Sequence, residues 1–390
     1  MPGSLQRIDG MEGAGERVTL TRNMFNSIVH HEGAPALTGA GTDAKVKPAP
    51  IKLGVDVHAR RYVVVAQEDH ALPGPARGFD PADFPRWVEV LLAKGHAVHV
   101  VDEACGFGFG LYRRLVALGA RCHVIAPRKL DEQRTGIKTD ARDAATLCQR
   151  LSRYVDGNAK ELAVIRVPSE DEEALRHVHR QREALVRQRT KLQAHGRGLL
   201  VTHSLPAPPH WWRTQTWTRL PRQLPAWLAA RLEVLRPVLA VLDTQIAALS
   251  TELEAAAPAD LPRGLGKLTT VTLSREVCDW HRFHNRRQVA SYTGLCPGEH
   301  SSGSKRVQGH VTKHGNPRLR AALVELAWRL VRFQPGSPPV KTRLALLSKG
   351  ARATGAARKK AIVAVARHLA VDLWRLHTGQ CTATQLGLQP

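Results

Sequence analysis

No apolar run in the sequence reaches the roughly 18 to 20 residues that a membrane-spanning helix needs, and its start lacks the charged-then-apolar pattern of a secretory leader. The chain therefore reads as soluble and intracellular. Cysteine pairs are missing as well. The six cysteines (Cys105, Cys122, Cys148, Cys278, Cys296 and Cys381) contain no C-x-x-C, which argues against a zinc knuckle and against a disulfide framework. Structural places suit them better. The scarcest feature is negative charge: 34 Asp and Glu stand against 57 Lys and Arg in 390 residues, a formal net charge of +23. Such an excess does not choose a fold, but it sets up a field that recruits polyanions. Nucleic acid is the partner this composition points to.

The length is ample for two or three domains, each with its own core. Residues 1–48 are rich in Gly, Ala and Pro without any period and end in KVKPAP, the pattern of a disordered extension or of a start at Met11 or Met24 in place of Met1. From Lys52 the pattern changes. LGVDVH alternates, and Tyr62 to Ala66 is a β-branched run close enough to form a hairpin with it. A weak third strand falls near Arg77 to Phe79, then come a helix over Pro81 to Lys94, the strand HAVHVVDEA, the helix LYRRLVALG closed by Gly119, the strand CHVIAP, and a helix from Thr139 through Leu151. This is the element order of an α/β ribonuclease-H-like domain over residues 49–165. Residues 166–258 are helical in composition, with two arms separated by the Pro- and Trp-rich SLPAPPHWWRTQTWTRLPRQLP, so an antiparallel helical coiled-coil hairpin with an elaborated tip is expected. In that tip Trp211, Trp212 and Trp217 alternate with Arg213, Arg219 and Arg222, an arrangement that suits either base stacking or a small satellite core. Residues 259–378 form a mostly α-helical C-terminal domain interrupted by GLCPGEHSSGSKRVQGHVTKHGNPRLR, and residues 379–390 read as a tail.

Within TGIKTDARDAATL, Asp140 and Asp143 sit at i, i+3, so on a helix both carboxylates reach one point above the same face. Capping by Thr139 or Asp140, with an acid complementing the helix dipole, would also account for them. Asp56 and Glu103 add to the case because each stands where an acid is costly. Asp56 interrupts the apolar face of the first strand and Glu103 ends HAVHVV, and these positions become neighbours when strand one pairs with strand four. Four converging carboxylates repel one another unless cations sit among them, and oxygen ligands with open positions suit Mg²⁺ or Mn²⁺. Two such ions can clamp the attacking and leaving oxygens of a phosphodiester. Asp102 is a weaker candidate than Glu103, and Asp131 and Glu132 lie in the preceding loop.

The loop EHSSGSKRVQGHVTKHGNPRLR offers Ser301, Ser302 and Ser304 among Lys305, Arg306, Lys313, Arg318 and Arg320. Beside metal and guanidinium groups a serine can attack phosphorus and leave a phosphoserine; in a plain phosphate-binding loop it only donates a hydrogen bond. LPRGLGK carries a small turn of the kind that presents backbone N–H groups to phosphate. The 19 histidines, including His177 and His179, show no ligand spacing and read as solvated helix faces.

GVDVH, VDEACGFG, KTDARDA, SYTGLCPGEHSSGSKRVQGHVTKHGNPRLR and KKAIVAVARHLA, in that order over Lys52 to His377, resemble the DEDD transposases of bacterial insertion sequences, the bridge-RNA-guided serine recombinases. The resemblance implies a RuvC-like domain, a coiled-coil middle and a C-terminal transposase domain. Carried over residue by residue, it implies a metal-binding and catalytic tetrad of Asp56, Glu103, Asp140 and Asp143, and a nucleophile at Ser302, with Ser301 adjacent. Lys305, Arg306, Lys313, Arg318 and Arg320 are the expected nucleic-acid contacts. It further implies recombination through a phosphoserine link with Mg²⁺ or Mn²⁺, a homodimer assembling to a tetramer, DNA partners at element ends and target, a non-coding guide RNA, and a cytoplasmic, nucleoid-associated location. The chain departs from the family pattern at Cys105, where Thr is usual, at Arg263-Gly264, where Pro-Gly is common, and in the long Trp-rich tip. Sugar kinases and actin-like ATPases share the ribonuclease-H-like fold but need a Gly/Thr-rich turn after the first acid, where VDVHARRY stands here. A junction-resolving nuclease with water as nucleophile, and an inactive nucleic-acid-binding protein, are the remaining alternatives.

Overall fold

The computed structural model describes residues 48–127, 139–220, 222, 224–303, 305–348 and 350–389. The expected extension over residues 1–48, the loop acids Asp131 and Glu132, and Ser304 lie outside or almost wholly outside the described residues. The chain divides into two compact units, the first ending at Ile165 and the second beginning at Arg166.

In the first unit β1 (Ile51–Val57), β2 (Tyr62–Glu68), β3 (Arg77–Phe79), α1 (Asp83–Ala93), β4 (Val98–Glu103), α2 (Gly110–Ala117), β5 (Arg121–Ile125) and α3 (Asp140–Val155) follow in sequence. The sheet order is β3-β2-β1-β4-β5, antiparallel from β3 to β1 and parallel from β1 to β5. A strand at the centre of such a sheet is covered on both faces, and alternation decides what each face carries. Leu53 and Val55 join Val98, Val100, Phe84, Trp87 and Leu115 on one side. On the other side Lys52, Gly54 and Asp56 face α3. Lys52 is buried and donates to Ser152 Oγ at 3.0 Å and to Asp156 at 3.1 Å, which compensates for the cost of taking an ammonium out of water. Gly54 is required by close approach: a Cβ there would fall on the Ala144 carbonyl and the Cys148 amide, and within 2.9 Å of Cys148 Cα. The missing side chain lets α3 lie directly on β1, which carries the N-terminus of α3 to the end of the strand.

The second unit opens with α4 (Glu170–Thr202), begun by a capping box between Ser169 and Glu172. After the short α5 (Thr214–Trp217), α6 (Ala226–Ala255) runs back along α4. The direction is antiparallel: Arg182 bonds Ser250 near one end and Arg189 bonds Asp243 farther along. Leu228, Leu232, Leu235, Leu239, Leu242, Ile246, Leu249 and Leu253 recur at alternating spacings of four and three, the period that keeps one stripe of a helix against a neighbour. At the tip, Trp211 and Trp212 are buried with Leu200, Leu220, Leu228 and Leu232, so these two rings pack a local core and are not available for stacking on bases. Trp217 packs against that cluster with the Arg236 guanidinium over its ring at 4.7 Å.

There follow α7 (Lys267–Val277), α8 (Arg286–Thr293), a ribbon of β6 (Pro297–Ser302) and β7 (Lys305–Val311), α9 (Pro317–Phe333), α10 (Pro338–Lys341), α11 (Leu344–Leu347) and α12 (Gly355–His377). The core gathers Leu323, Leu326 and Leu330 of α9 with Val365, Ala366 and Leu369 of α12. Two expectations need correction. Residues 379–389 are not a tail: Cys381, Leu386 and Leu388 are buried in this core, and the Gln389 amide donates to Gln334 Oε1 at 2.9 Å. His179 is not on a solvated face. It is 5% exposed and its Nε2 lies 2.8 Å from Glu276 Oε1. Glu276, wholly buried, also accepts from Arg180 and from Asn316, the residue that caps α9, so one carboxylate ties α4, α7 and α9 together.

Candidate active site

Asp56 stands at the end of β1 on the face that α3 covers, and His58 follows two residues later. Extended chain returns side chains to the same side at that spacing. Asp140 is the first residue of α3, fixed there because the Thr139 side chain caps the helix by accepting from the Arg142 amide. The docking of α3 on Gly54 brings these pieces together: His58 Nε2 lies 3.3 Å from Asp56 Oδ2 and 3.4 Å from Asp140 Oδ2. The three ligand atoms fall within 4.8 Å of one another. Burial pushes the Asp56 carboxyl above its ordinary value, His58 pulls it down, and Asp140 and Asp143 push it up again. That is the electrostatic character of a place that wants positive charge.

The parallel register aligns Val55 with Asp102, so Glu103 follows opposite Asp56. Alternation separates the two acids of β4. Val101 packs with Leu147 and Leu151 of α3, which puts Glu103 on the α3 side. Asp102 shares the opposite side with Val100; it is 7% exposed there, and burial pushes its carboxyl up to about 7. Glu103 and Asp143 are not part of the tight group, although Asp143 is near enough to act on Asp56. His58 is the member that the sequence reading missed. Its signal was the D-x-H spacing at a strand end, which is short of a ligand pattern until the helix start that completes it is known.

In the second unit the loop around the serines is an antiparallel ribbon pairing Ser302 with Lys305, Ser301 with Arg306, His300 with Val307 and Glu299 with Gln308. Gly303, at φ +58°, makes the turn, a conformation that glycine adopts without strain. Ser301 and Ser302 are both exposed. The five cations expected to meet nucleic acid differ in what they already hold. Arg306 pairs with Glu299 at 2.8 Å, Arg318 donates to Glu183 at 2.6 Å, and Arg320 donates to the carbonyls of Thr293 and Lys313, each at 3.2 Å. Lys305 and Lys313 are exposed.

Residues 262–340, which include the ribbon, match the family model described as Transposase IS116/IS110/IS902 family, and residues 53–204, which include the acids, match the transposase model DEDD_Tnp_IS110. The transposase for insertion sequence element IS1111A of Coxiella burnetii is 32% identical over 73% of this chain and 78% of its own. The chain belongs to the IS110/IS116 transposase family. The y4qE protein of Sinorhizobium fredii is 30% identical over 93% of this chain and 97% of its own, and the transposase for IS1328 of Yersinia enterocolitica is 25% identical over 70% and 82%. As a member of the IS110/IS116 family the chain is a DEDD transposase, an enzyme that acts on DNA, and the family implies a divalent metal. The side chains fit one: two carboxylate oxygens and one imidazole nitrogen, donors a divalent ion accepts, lie within 4.8 Å of one another, with an acid raised by burial among them. Among the described residues, no helix is long and apolar enough to cross a membrane.

Proposed function

We propose that this transposase cuts and exchanges DNA strands through a serine nucleophile, Ser302, with Asp56, Glu103, Asp140 and Asp143 as its metal-binding acids. The observation that carries the metal half is the convergence of Asp56, His58 and Asp140 where β1 ends and α3 begins. Mg²⁺ or Mn²⁺ held there would supply positive charge to the oxygens of a phosphodiester in displacement. Carboxylate-rich donor sets suit both ions, and the imidazole leaves Mn²⁺ well accommodated. The serine half rests on the exposed ribbon, where a hydroxyl stands directly across from a lysine.

The same reading includes a non-coding guide RNA from the element, a homodimer assembling to a tetramer on element ends and target, and action at the nucleoid in the cytoplasm. The excess of 57 basic over 34 acidic residues supports binding of both nucleic acids. A second reading, a RuvC-like cleavage with water as nucleophile, is favoured by the acid group itself, which is assembled entirely within the first unit.

Incubation of the full-length protein with end-labelled duplex from the element terminus, RNA transcribed from its non-coding end and Mg²⁺, followed by denaturing electrophoresis, separates the two. A protein–DNA adduct that vanishes with Ser302→Ala supports the serine reading. Metal-dependent cleavage without adduct, unchanged in that variant, would refute it in favour of water.

A further inference from the structure

The ribbon has two chemically different faces. Cross-strand partners project to the same side and neighbours along a strand to opposite sides. The register therefore puts Glu299, Ser301, Arg306 and Gln308 on one face and His300, Ser302, Lys305 and Val307 on the other. The first face is closed on itself. Ser301 Oγ donates to Glu299 Oε1 at 2.8 Å, and Arg306 Nη2 donates to Glu299 Oε2 at 2.8 Å. These contacts, Arg306 first, hold the Glu299 carboxyl below the usual carboxylate range, which keeps it charged and makes it a poor base. A phosphate brought to this face meets a carboxylate, and Arg306 is already neutralised by its partner.

The second face carries no acid. It offers a hydroxyl, an imidazole two residues before it on the same strand, and an ammonium directly across the ladder. Resting on the serine reading above, we propose that the DNA phosphodiester docks on the His300–Ser302–Lys305 face. Lys305 contacts a non-bridging oxygen of the scissile phosphate and His300 takes the proton of Ser302. In the step, the Ser302 Oγ–P bond forms and the P–O bond to the sugar breaks; the hydroxyl proton passes to His300, and the departing sugar oxygen takes a proton from water. Ser301, Glu299 and Arg306 brace the ribbon from behind and touch no DNA. Arg306 is thereby moved from the nucleic-acid contacts to the ion pair that closes the rear face of the ribbon.

The assay is single-turnover adduct formation by the full chain, with the duplex, RNA and Mg²⁺ named above, and a thermal melt of every variant to verify folding. Lys305→Met lowers the rate about 10²-fold, the scale of losing one charge contact to a reacting phosphate, while Lys305→Arg restores most of it and the duplex Kd moves little. His300→Ala lowers it by about 10²-fold or more, the scale of a lost general base, and added imidazole recovers part of the loss, which no structural role would produce. Ser301→Ala and Arg306→Met stay within a few-fold. An adduct that depends on Ser302 yet is indifferent to Lys305→Met and His300→Ala overturns the assignment of the reacting face and leaves the serine reading intact. An adduct that depends on Ser301 and Glu299 instead overturns it in favour of the opposite face. No adduct from the wild-type chain refutes the serine reading, and this inference falls with it.

Discussion

Gly54→Ala tests whether the docking of α3 on β1 is what assembles the acids. A Cβ at residue 54 would meet the backbone of α3, at the Ala144 carbonyl, the Cys148 amide and Cys148 Cα, the last at 2.9 Å. Backbone cannot turn aside as a flexible side chain can, so α3 must withdraw from β1 by about 1 Å to reach ordinary contact distances. Overpacking of this kind costs about 1–3 kcal/mol, and with no rotamer to relieve it the upper end applies. For a domain of this size about 3 kcal/mol lowers the midpoint of unfolding by roughly 10 °C. The same displacement moves Asp140, one turn before Ala144, away from Asp56, which lies two residues beyond Gly54. A misplacement of about 1 Å in a reacting geometry costs about 10²-fold. Calorimetry of the full-length protein, a Mn²⁺ titration and a strand-cleavage assay measure the three consequences together. A variant that melts and cleaves like the wild type would show that α3 and β1 do not need this approach, and the account of the site's assembly would be wrong.

Other predictions concern the two units separately. Glu276→Gln leaves the buried His179 and the partly buried Arg180 and Asn316 facing an amide; loss of the buried charge from such a set costs about 3 kcal/mol, read as a lower melting point of the second unit at pH 7.5. Burial would raise the Glu276 carboxyl, but His179, Arg180 and Asn316 hold it well below its unfolded value of 4.5. Its contribution is therefore whole above about pH 4.5 and lost as pH falls below it, so wild type and variant should converge in melts run at acid pH; a constant gap down to pH 3 would contradict the linkage. Trp211→Ala removes a fully buried ring whose Nε1 donates to the Gln193 carbonyl at 3.1 Å and should destabilise by about 3–5 kcal/mol, checked by urea denaturation, without changing the salt dependence of DNA binding. Asp56→Asn should abolish strand cleavage while leaving salt-sensitive DNA affinity within a few-fold, because exposed Lys and Arg dominate that affinity; a parallel loss of binding in filter assays would mean that the acids serve the fold instead.

The element order was legible because the first unit is built from patterns that local physics enforces. The β-branched run of β2, the apolar stretch of β4 and the capped start of α3 each admit few alternatives. Asp56 and Glu103 stood out for a related reason: a charge inside such a strand is costly unless the fold uses it. Which of Glu103 and Asp102 lies on the α3 side was legible only in part, since it depends on which face the helix covers. His58 was illegible for the same cause. Its partner Asp140 lies more than 80 residues away, and they meet only because Gly54 admits the helix.

Charge was the least legible feature at the level of single residues. Net charge pointed to nucleic acid, yet Arg306, Arg318 and Arg320 each already hold a partner, and no composition reveals which cations a fold has spent on itself. Period-two alternation on a ribbon does separate residues once the turn is known, and with Gly303 at the turn it divides two adjacent serines between opposite faces. Ser301 donates to a carboxylate braced by arginine, whereas Ser302 shares its face with an imidazole and an ammonium. Two residues that look interchangeable in the string SSG therefore stand in opposite electrostatic surroundings, and only one of those surroundings welcomes a phosphate.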